Sequence, residues 1–134
     1  MAEKTEAYID TSALIAFLDR SDSAHPRFRR LFSDPPPMVT SALVIAEGHG
    51  WFLRRYDRSR SLQFLAFVEA LPHILVRPFD KRELGKSANI LRKFDDQNLT
   101  LADAHGLSIM AERRLDTCWS TDWHLTLTGA RLVS

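Results

Sequence analysis

The sequence has a single cysteine, Cys118, among its 134 residues. One cysteine cannot form an internal disulfide, which excludes a disulfide-stabilised scaffold and fits a reducing compartment. No stretch approaches the ~20 consecutive apolar residues of a membrane span, and the polar residues 1–6 contain no apolar signal region. We therefore expect a soluble, cytoplasmic protein without a membrane segment, whose cysteine is a small core side chain.

Lysine is also scarce, since only four of the 18 basic residues are lysine and the rest are arginine. Arginine suits phosphate because its guanidinium group is a planar fork of donors. Arginine clusters in residues 27–30, 54–60 and 113–114 therefore permit a nucleic-acid surface, although a solvated helix face is the simpler explanation for any one cluster. The histidines are scattered, and neither a glycine-rich phosphate loop nor a Ser-His-Asp or Cys-His pattern occurs.

Apolar runs and turn residues predict the order β-α-α-β-α-α-β-α-α-β-β. The predicted strands are residues 7–9, 38–40, 74–76, 117–120 and 131–133. The predicted helices are residues 12–18, 23–33, 41–56, 59–71, 81–94 and 101–114. Strands separated by helices need crossover connections, which are right-handed in parallel sheets. We therefore expect residues 1–134 to form one domain with a three-layer α/β/α fold and a small, mainly parallel sheet.

Local patterns predict how some of these elements pack. The continuous apolar run of residues 74–76 is typical of a parallel strand that is covered on both faces. In the helix of residues 81–94, Leu84 belongs to the expected inner stripe. Gly48 and Gly50 lie inside a helix, where each costs roughly 1 kcal/mol against alanine. They therefore indicate that another backbone approaches this helix closely.

Four acids lie within or beside apolar segments, namely Asp10, Glu47, Asp103 and Asp122. Asp10 directly follows the first predicted strand, and Asp122 follows the fourth after one residue. Glu47 and Asp103 lie at helical spacing from apolar residues. Ligands bind at the carboxyl ends of the strands in open parallel sheets, and acids are rarely buried without a partner. We therefore expect these four carboxylates to gather at that edge and to hold a divalent metal.

Three of the four acids also have a purely structural explanation. Asp103 fits a capping box with Thr100, and Asp10 and Asp122 fit turn positions after strands. Glu47 has no comparable explanation, because a glutamate on an apolar helix face needs a compensating partner. A metal compensates all four acids, and a set of oxygen ligands favours Mg²⁺ or Mn²⁺ over Zn²⁺.

Four stretches carry a family resemblance. They are Tyr8-Ile9-Asp10-Thr11-Ser12-Ala13-Leu14, Thr40-Ser41-Ala42-Leu43-Val44-Ile45-Ala46-Glu47, Leu99-Thr100-Leu101-Ala102-Asp103-Ala104 and Ser120-Thr121-Asp122-Trp123-His124-Leu125. In their order and spacing, from about Ala7 to Val133, the chain resembles the PIN-domain ribonucleases, and especially the VapC-type toxins of toxin–antitoxin pairs. The resemblance implies a metal-dependent endoribonuclease that acts on unpaired RNA, with Mg²⁺ as cofactor and Mn²⁺ as a substitute.

The resemblance also implies which residues form the site. The catalytic and metal-binding positions of the family correspond here to Asp10, Glu47, Asp103 and Asp122. Its small hydroxyl positions beside the site correspond to Thr11, Ser12 and Thr121. Asp96 lies where some members carry an additional acid. Its first interpretation is a plain loop residue, and the second is a residue that supports the site. His124 matches a recurring position after the last acid, and we expect it to make a structural hydrogen bond.

Partners and rival functions follow from the same residues. The resemblance implies an RNA substrate and a cognate antitoxin protein. The apolar excess of residues 59–71, together with Trp51 and Phe52, predicts a homodimer. One rival is a catalytically silent PIN-like module that binds RNA or protein, and another is a PIN nuclease that is not a toxin. A phosphatase with Asp10 as the covalent nucleophile is weaker, because Ser12 occupies the place where that chemistry usually has a second aspartate.

Overall fold

A computed structural model describes residues 5–134 of the chain. The five strands are β1 Ala7–Ile9, β2 Met38–Ser41, β3 Ile74–Arg77, β4 Thr117–Trp119 and β5 Arg131–Val133. The six α-helices are α1 Thr11–Leu18, α2 His25–Leu31, α3 Ala42–Arg55, α4 Arg58–Ala70, α5 Lys81–Lys93 and α6 Leu101–Arg113, and a 3₁₀ helix covers Trp123–Thr126. In residues 5–134, no helix is both long enough and apolar enough to cross a membrane.

The strands form one parallel sheet in the order β3-β2-β1-β4-β5. The predicted α/β fold with a small parallel sheet is therefore confirmed. From β1 the chain adds β2 and β3 on one side, and it then returns to place β4 on the other side of β1. Right-handed crossovers put α1 to α4 on one face of the sheet and α5 with α6 on the other. The packing of α3 on α4 and of α5 on α6 agrees with this arrangement.

This order creates a switch point between β1 and β4, where the direction of strand addition reverses. In open parallel sheets a crevice forms at such a point, beyond the carboxyl ends of the strands. The residues that follow β1 and β4 are therefore candidates for ligand binding. They are Asp10 and the segment that begins at Ser120.

The core lies between the sheet and its helices. Its largest fully buried side chains are Tyr8, Ile9, Leu14, Phe28, Met38, Phe52, Phe64, Leu107, Ile109, Met110 and Leu125, with the imidazole of His105 among them. Cys118 is fully buried in this core, and burial raises the pKa of its thiol well above the ordinary value. The prediction of an inert core cysteine is confirmed, because a thiol that stays protonated is a poor nucleophile.

The predicted burial of residues 74–76 on both faces is wrong. Leu75 is 44% exposed and Val76 is 39% exposed. The reason is the position of β3 at the edge of the sheet, where β2 is its only hydrogen-bonded neighbour within residues 5–134. A continuous apolar run does not reveal whether a strand is central or at an edge.

The predicted inward position of Leu84 on α5 is also wrong. Leu84 is 44% exposed, whereas Glu83 and Ser87 are buried. Glu83 is inward-facing because it has partners there: Arg77 Nη2 lies 3.2 Å from its Oε1, and His105 Nε2 lies 3.4 Å from its Oε2. A paired acid displaces a leucine from the inner face, which hydrophobic periodicity cannot foresee.

Close packing at Gly48 is confirmed, but the approaching group is not a backbone. A Cβ atom built on Gly48 would lie 2.2 Å from Cζ of Phe64, which belongs to α4. At Gly50 the neighbour is the guanidinium group of Arg54 on the same helix. Gly48 is therefore the place where α3 receives an aromatic ring of α4.

Candidate functional site

Four carboxylates from four different elements line one cleft at the carboxyl edge of the sheet. Asp10 links β1 to α1, Glu47 lies on α3, Asp103 lies in the first turn of α6, and Asp122 follows β4 and caps the 3₁₀ helix. The cleft has a volume of about 320 Å³. The structure therefore brings together all four acids that the sequence singled out.

Hydroxyl groups from two segments hold Asp10 in the cleft. Its Oδ2 accepts hydrogen bonds from Ser12 Oγ and Ser120 Oγ, each at 3.0 Å. Ser12 lies in the first turn of α1, and Ser120 follows β4. The parallel register of β1 and β4 pairs Ile9 with Trp119, so the next residues, Asp10 and Ser120, also lie side by side.

Ser120 is a site residue that sequence reasoning did not identify as one. Its Oγ accepts a hydrogen bond from the backbone N–H of Asp122 at 2.8 Å, in addition to its contact with Asp10. It therefore connects the first acid to the last. The sequence predicted a mainly parallel sheet but not the order of its strands, and the pairing of β1 with β4 is what brings these residues together.

Glu47 lies at the open side of the cleft. The prediction that it lies on an inward apolar stripe is wrong, since its side chain is exposed and the buried positions of α3 are Val44, Gly48 and Phe52. These three are four residues apart, and Glu47 lies about 60° around the helix from Val44 and about 100° from Gly48. Its Oε1 accepts a hydrogen bond from Thr11 Oγ1 at 2.9 Å, which fixes the carboxylate over the start of α1.

The capping box predicted as an alternative for Asp103 is confirmed. Thr100 N–H donates to Asp103 Oδ2, and Asp103 N–H donates to Thr100 Oγ1, both at 3.1 Å. The cap does not remove Asp103 from the cleft, because both residues line it. The carboxylate of Asp103 therefore both caps the N-terminus of α6 and contributes negative charge to the site.

Asp122 and His124 form a tight pair at the other wall. Asp122 Oδ1 accepts hydrogen bonds from the backbone N–H of His124 at 3.0 Å and lies 2.8 Å from its Nδ1. The predicted hydrogen bond of His124 is present, and its partner is an acid of the cleft. Ligand atoms of Asp103, Asp122 and His124 all lie within 4.8 Å of one another.

The structure places two of the predicted supporting residues, Thr121 and Asp96, differently from the prediction. Thr121 is exposed, and its backbone N–H donates to Ser12 Oγ at 3.0 Å, so its main chain rather than its hydroxyl supports the site. Asp96 is exposed in the turn after α5, and it is not among the described residues that line the cleft.

Burial alone does not distinguish the four acids. Asp19 and Glu83 are as buried as Asp10 and Asp103, at 5–8% exposure. Burial raises the pKa of Asp19, but hydrogen bonds from Ser21 and Tyr56 outweigh this effect and hold that pKa below its ordinary value. Partners on neighbouring segments therefore compensate Asp19, whereas like charges surround the acids of the cleft.

The electrostatics of the cleft reflect that crowding. Burial raises the pKa of Asp10, and the charge of Asp122 raises it further, although hydrogen bonds from Ser120 and Ser12 oppose the shift. Desolvation also raises the pKa values of Glu47 and Asp103, and neighbouring acids add to both shifts. The negative charges therefore repel one another in a partly dehydrated space.

Such a donor set suits a divalent cation. Carboxylate and hydroxyl oxygens are the ligands that hard cations prefer, and a cation would relieve the repulsion that raises these pKa values. The carboxylates of Asp10, Glu47, Asp103 and Asp122 all line this cleft, and among the described residues the ligand atoms that lie within 4.8 Å of one another are those of Asp103, Asp122 and His124. One side of the cleft also contains Trp51 and Arg54 of α3 and Ile15 of α1, so an aromatic ring and a cation lie beside the acids.

Several solved structures have this fold. Over 93% of the chain and 96% of the other, it is similar to Mycobacterium tuberculosis VapC20, a sarcin–ricin loop cleaving toxin, with a TM-score of 0.85 and 20% identity. A toxin–antitoxin complex from Klebsiella pneumoniae matches 96% of each chain, with a TM-score of 0.62 and 17% identity. VapBC2 from Rickettsia felis, bound to a promoter DNA fragment, matches 96% of this chain and 98% of the other, with a TM-score of 0.63 and 12% identity.

The sequence itself shows which family this fold represents. The chain matches no curated protein. The sequence model of the PIN domain, however, matches residues 7–129, a range that contains every acid of the cleft. The chain therefore belongs to the PIN domain family.

Proposed function

We propose that this protein is a metal-dependent endoribonuclease and the toxin of a type II toxin–antitoxin pair. The observation that carries the proposal is the convergence of four carboxylates on one cleft in a PIN domain. The likeness to a toxin described as cleaving the sarcin–ricin loop supports RNA as the substrate. We place the reaction in the cytoplasm, in keeping with a chain whose one cysteine is buried and unpaired.

The proposed cofactor is Mg²⁺, for which Mn²⁺ can substitute. Asp10, Glu47, Asp103 and Asp122 would hold it, since their carboxylates face the same cleft. Bound there, such an ion neutralises charge on the scissile phosphate and lowers the pKa of a coordinated water. Cleavage is hydrolysis of a phosphodiester bond of RNA, with water as the nucleophile.

The residues of the chain prepare the cleft for that reaction. Ser12 and Ser120 fix the orientation of Asp10 through hydrogen bonds to one of its oxygens, and Thr11 does the same for Glu47. These bonds hold the carboxylates in place before substrate arrives, so little reorganisation is needed during catalysis. Glu47, whose side chain is exposed at the open side of the cleft, is our candidate for taking a proton from the attacking water.

The first test is cleavage of purified RNA. We expect the protein to cut unpaired segments in the presence of Mg²⁺ or Mn²⁺, because their backbone and bases are accessible, and to lose activity in EDTA. Gel analysis of structured RNAs incubated with Mg²⁺, with EDTA, and with EDTA followed by excess Mg²⁺ measures this. Equal cleavage in EDTA would remove the metal from the mechanism. No cleavage under any condition would favour the binding module.

We further propose an antitoxin partner that places an arginine near the four acids. A guanidinium group in the cleft would occupy the position of the metal charge and would pair with the carboxylates. Two of the similar structures are described as toxin–antitoxin complexes, which supports this kind of partner. A small open reading frame for a DNA-binding protein immediately upstream of the gene would agree with the proposal. Its absence would favour a PIN nuclease that is not a toxin.

We also propose a homodimer, but through a surface that differs from the one predicted from the sequence. Phe52 is buried in the core rather than exposed. Leu53 of α3 is 46% exposed and Leu62 of the adjacent α4 is 42% exposed, so apolar side chains remain on both packed helices. We expect the isolated chain to have the mass of a dimer in light scattering and Leu62→Glu to produce monomers. Leu84→Glu, at an equally exposed leucine of α5, is the matched control, and a monomeric wild type at high concentration would reject the proposal.

A further inference from the structure

Trp123 has the most exposed large apolar side chain of the described residues. Its surface is 55% exposed, against 46% for Leu53, which is the next. An indole is a large apolar group that is usually buried at least in part. Its exposure therefore needs an explanation other than packing of the core.

The indole is fixed beside the acidic cleft. Trp123 directly follows Asp122 and is the first residue of the 3₁₀ helix that Asp122 caps. Its ring stacks on the imidazole of His124, with centroids 4.3 Å apart and planes inclined by 27°. His124 Nδ1 lies 2.8 Å from Asp122 Oδ1. The imidazole of His124 therefore connects the indole to the carboxylate of Asp122, which lines the cleft.

We propose that Trp123 is the stacking platform for one unpaired base of the RNA, next to the phosphate that occupies the cleft. Proteins that bind single-stranded nucleic acid place bases on exposed aromatic rings, because every base has a π-face. The imidazole supports one face of the indole and leaves the remaining surface for a base. This inference rests on the proposed ribonuclease function.

The surroundings of Trp123 favour a base over a protein partner. An aromatic anchor of a protein interface usually lies in a broader apolar patch. Here the exposed residues near it in the chain are Thr121, Thr128 and Gly129, which are polar or small. An exposed ring that is flanked in the chain by exposed polar or small residues and directly follows an acid of the cleft fits one nucleotide.

The test measures binding of a short, labelled, unpaired RNA of mixed sequence by fluorescence anisotropy. The Asp10→Asn background with Mg²⁺ keeps the RNA intact, and gels verify this. We expect Trp123→Ala to weaken binding about 5- to 150-fold, the range measured for loss of one base–aromatic stack. Trp123→Phe retains a stacking face and should bind nearly as well as the parent. Leu84→Ala, at an exposed leucine of α5, should bind like the parent.

A second probe identifies the base. In a series of the same RNA, each member has one abasic position, and one member should bind the parent and Trp123→Ala equally. Stacking should also quench tryptophan fluorescence more strongly in the parent than in Trp123→Phe. A defect that persists with every abasic member would overturn the stacking role. Normal RNA binding by Trp123→Ala would also overturn it, and a simultaneous loss of the dimer in light scattering would assign Trp123 to a protein interface.

These outcomes are separate from those that test the ribonuclease. If wild type cleaves RNA in Mg²⁺ and Trp123→Ala binds it normally, only the stacking proposal fails. If wild type binds RNA through Trp123 but never cleaves it, only the nuclease fails. If wild type neither binds nor cleaves RNA, both fail. Equal melting temperatures of Trp123→Ala and wild type would show that the variant is folded.

Discussion

Asp10→Asn is expected to abolish RNA cleavage while it stabilises the metal-free protein. Loss of residues that merely support a metal ligand typically lowers activity 10- to 100-fold, so loss of a charged ligand should lower it by about 100-fold or more. Asparagine has nearly the same shape and keeps an oxygen that can accept from Ser12 and Ser120. The fold should therefore survive, and the lost charge should be the main change.

The gain in stability follows from the raised pKa of Asp10. A carboxyl whose pKa is higher in the folded state than in the unfolded state favours folding when protonated and opposes it when ionised. The penalty is absent below the ordinary pKa of 3.8, grows as the pH rises through the folded pKa, and is complete above it. In EDTA, the variant should therefore melt higher than wild type by a few degrees at neutral pH, since about 1 kcal/mol shifts the melting temperature by roughly 2–8 °C.

Melting curves in EDTA and in excess Mg²⁺, across a range of pH, measure this effect. Wild type should gain stability from Mg²⁺, because the ion binds only the folded cleft, and Asp10→Asn should gain much less. Asp95→Asn, at an exposed aspartate in the turn after α5, is the matched control and should behave like wild type. An Asp10→Asn variant with full activity and the wild-type response to Mg²⁺ would reject Asp10 as a ligand.

The order of the secondary-structure elements and the positions of the four acids could be predicted from the sequence, because the signals for them lie within short segments of the chain. A short apolar run that ends in an acid marks the end of a strand, whatever the rest of the chain does. Asp10 and Asp122 could therefore be placed at one edge of a parallel sheet without coordinates, and the structure places both in one cleft. The capping box of Asp103 is likewise a signal within four residues.

The errors concern which partner a residue meets, because partners come from distant parts of the chain. Glu83 is buried because His105 and Arg77 lie beside it, so Leu84 faces solvent instead. Ser120 belongs to the site because β4 is the neighbour of β1, a pairing across more than a hundred residues. Hydrophobic periodicity measures average polarity along one element and contains no information about such pairs.

The same distinction applies to Gly48. The sequence indicated a close approach there but could not name the approaching group, which is the ring of Phe64. Phe64 is fully buried and stacks on Phe52, with ring centroids 5.6 Å apart and planes inclined by 30°. The ring therefore has little room to retreat, and a methyl group at Gly48 would have to displace it or move α3 away from α4.

We expect Gly48→Ala to lower the free energy of unfolding by up to about 2 kcal/mol. Overpacking of a core costs about 1–3 kcal/mol and occasionally more, and the better helix propensity of alanine recovers about 1 kcal/mol. We also expect an effect on activity, because Gly48 directly follows Glu47. A shift of α3 would move the Glu47 carboxylate away from Thr11 Oγ1, its 2.9 Å donor. Urea denaturation measures the first effect, and RNA cleavage at a temperature where the variant is folded measures the second.

A matched substitution isolates the contact with Phe64. Gly85 lies on α5, where a Cβ atom would meet nothing within 4 Å, so Gly85→Ala should stabilise the protein by up to about 1 kcal/mol through helix propensity alone. In the double variant Gly48→Ala/Phe64→Leu, the smaller side chain makes room for the methyl group. The two changes should therefore destabilise less together than the sum of their separate effects, as expected for residues in contact. Strict additivity, or a Gly48→Ala variant as stable as Gly85→Ala, would show that Phe64 does not limit the space at this position.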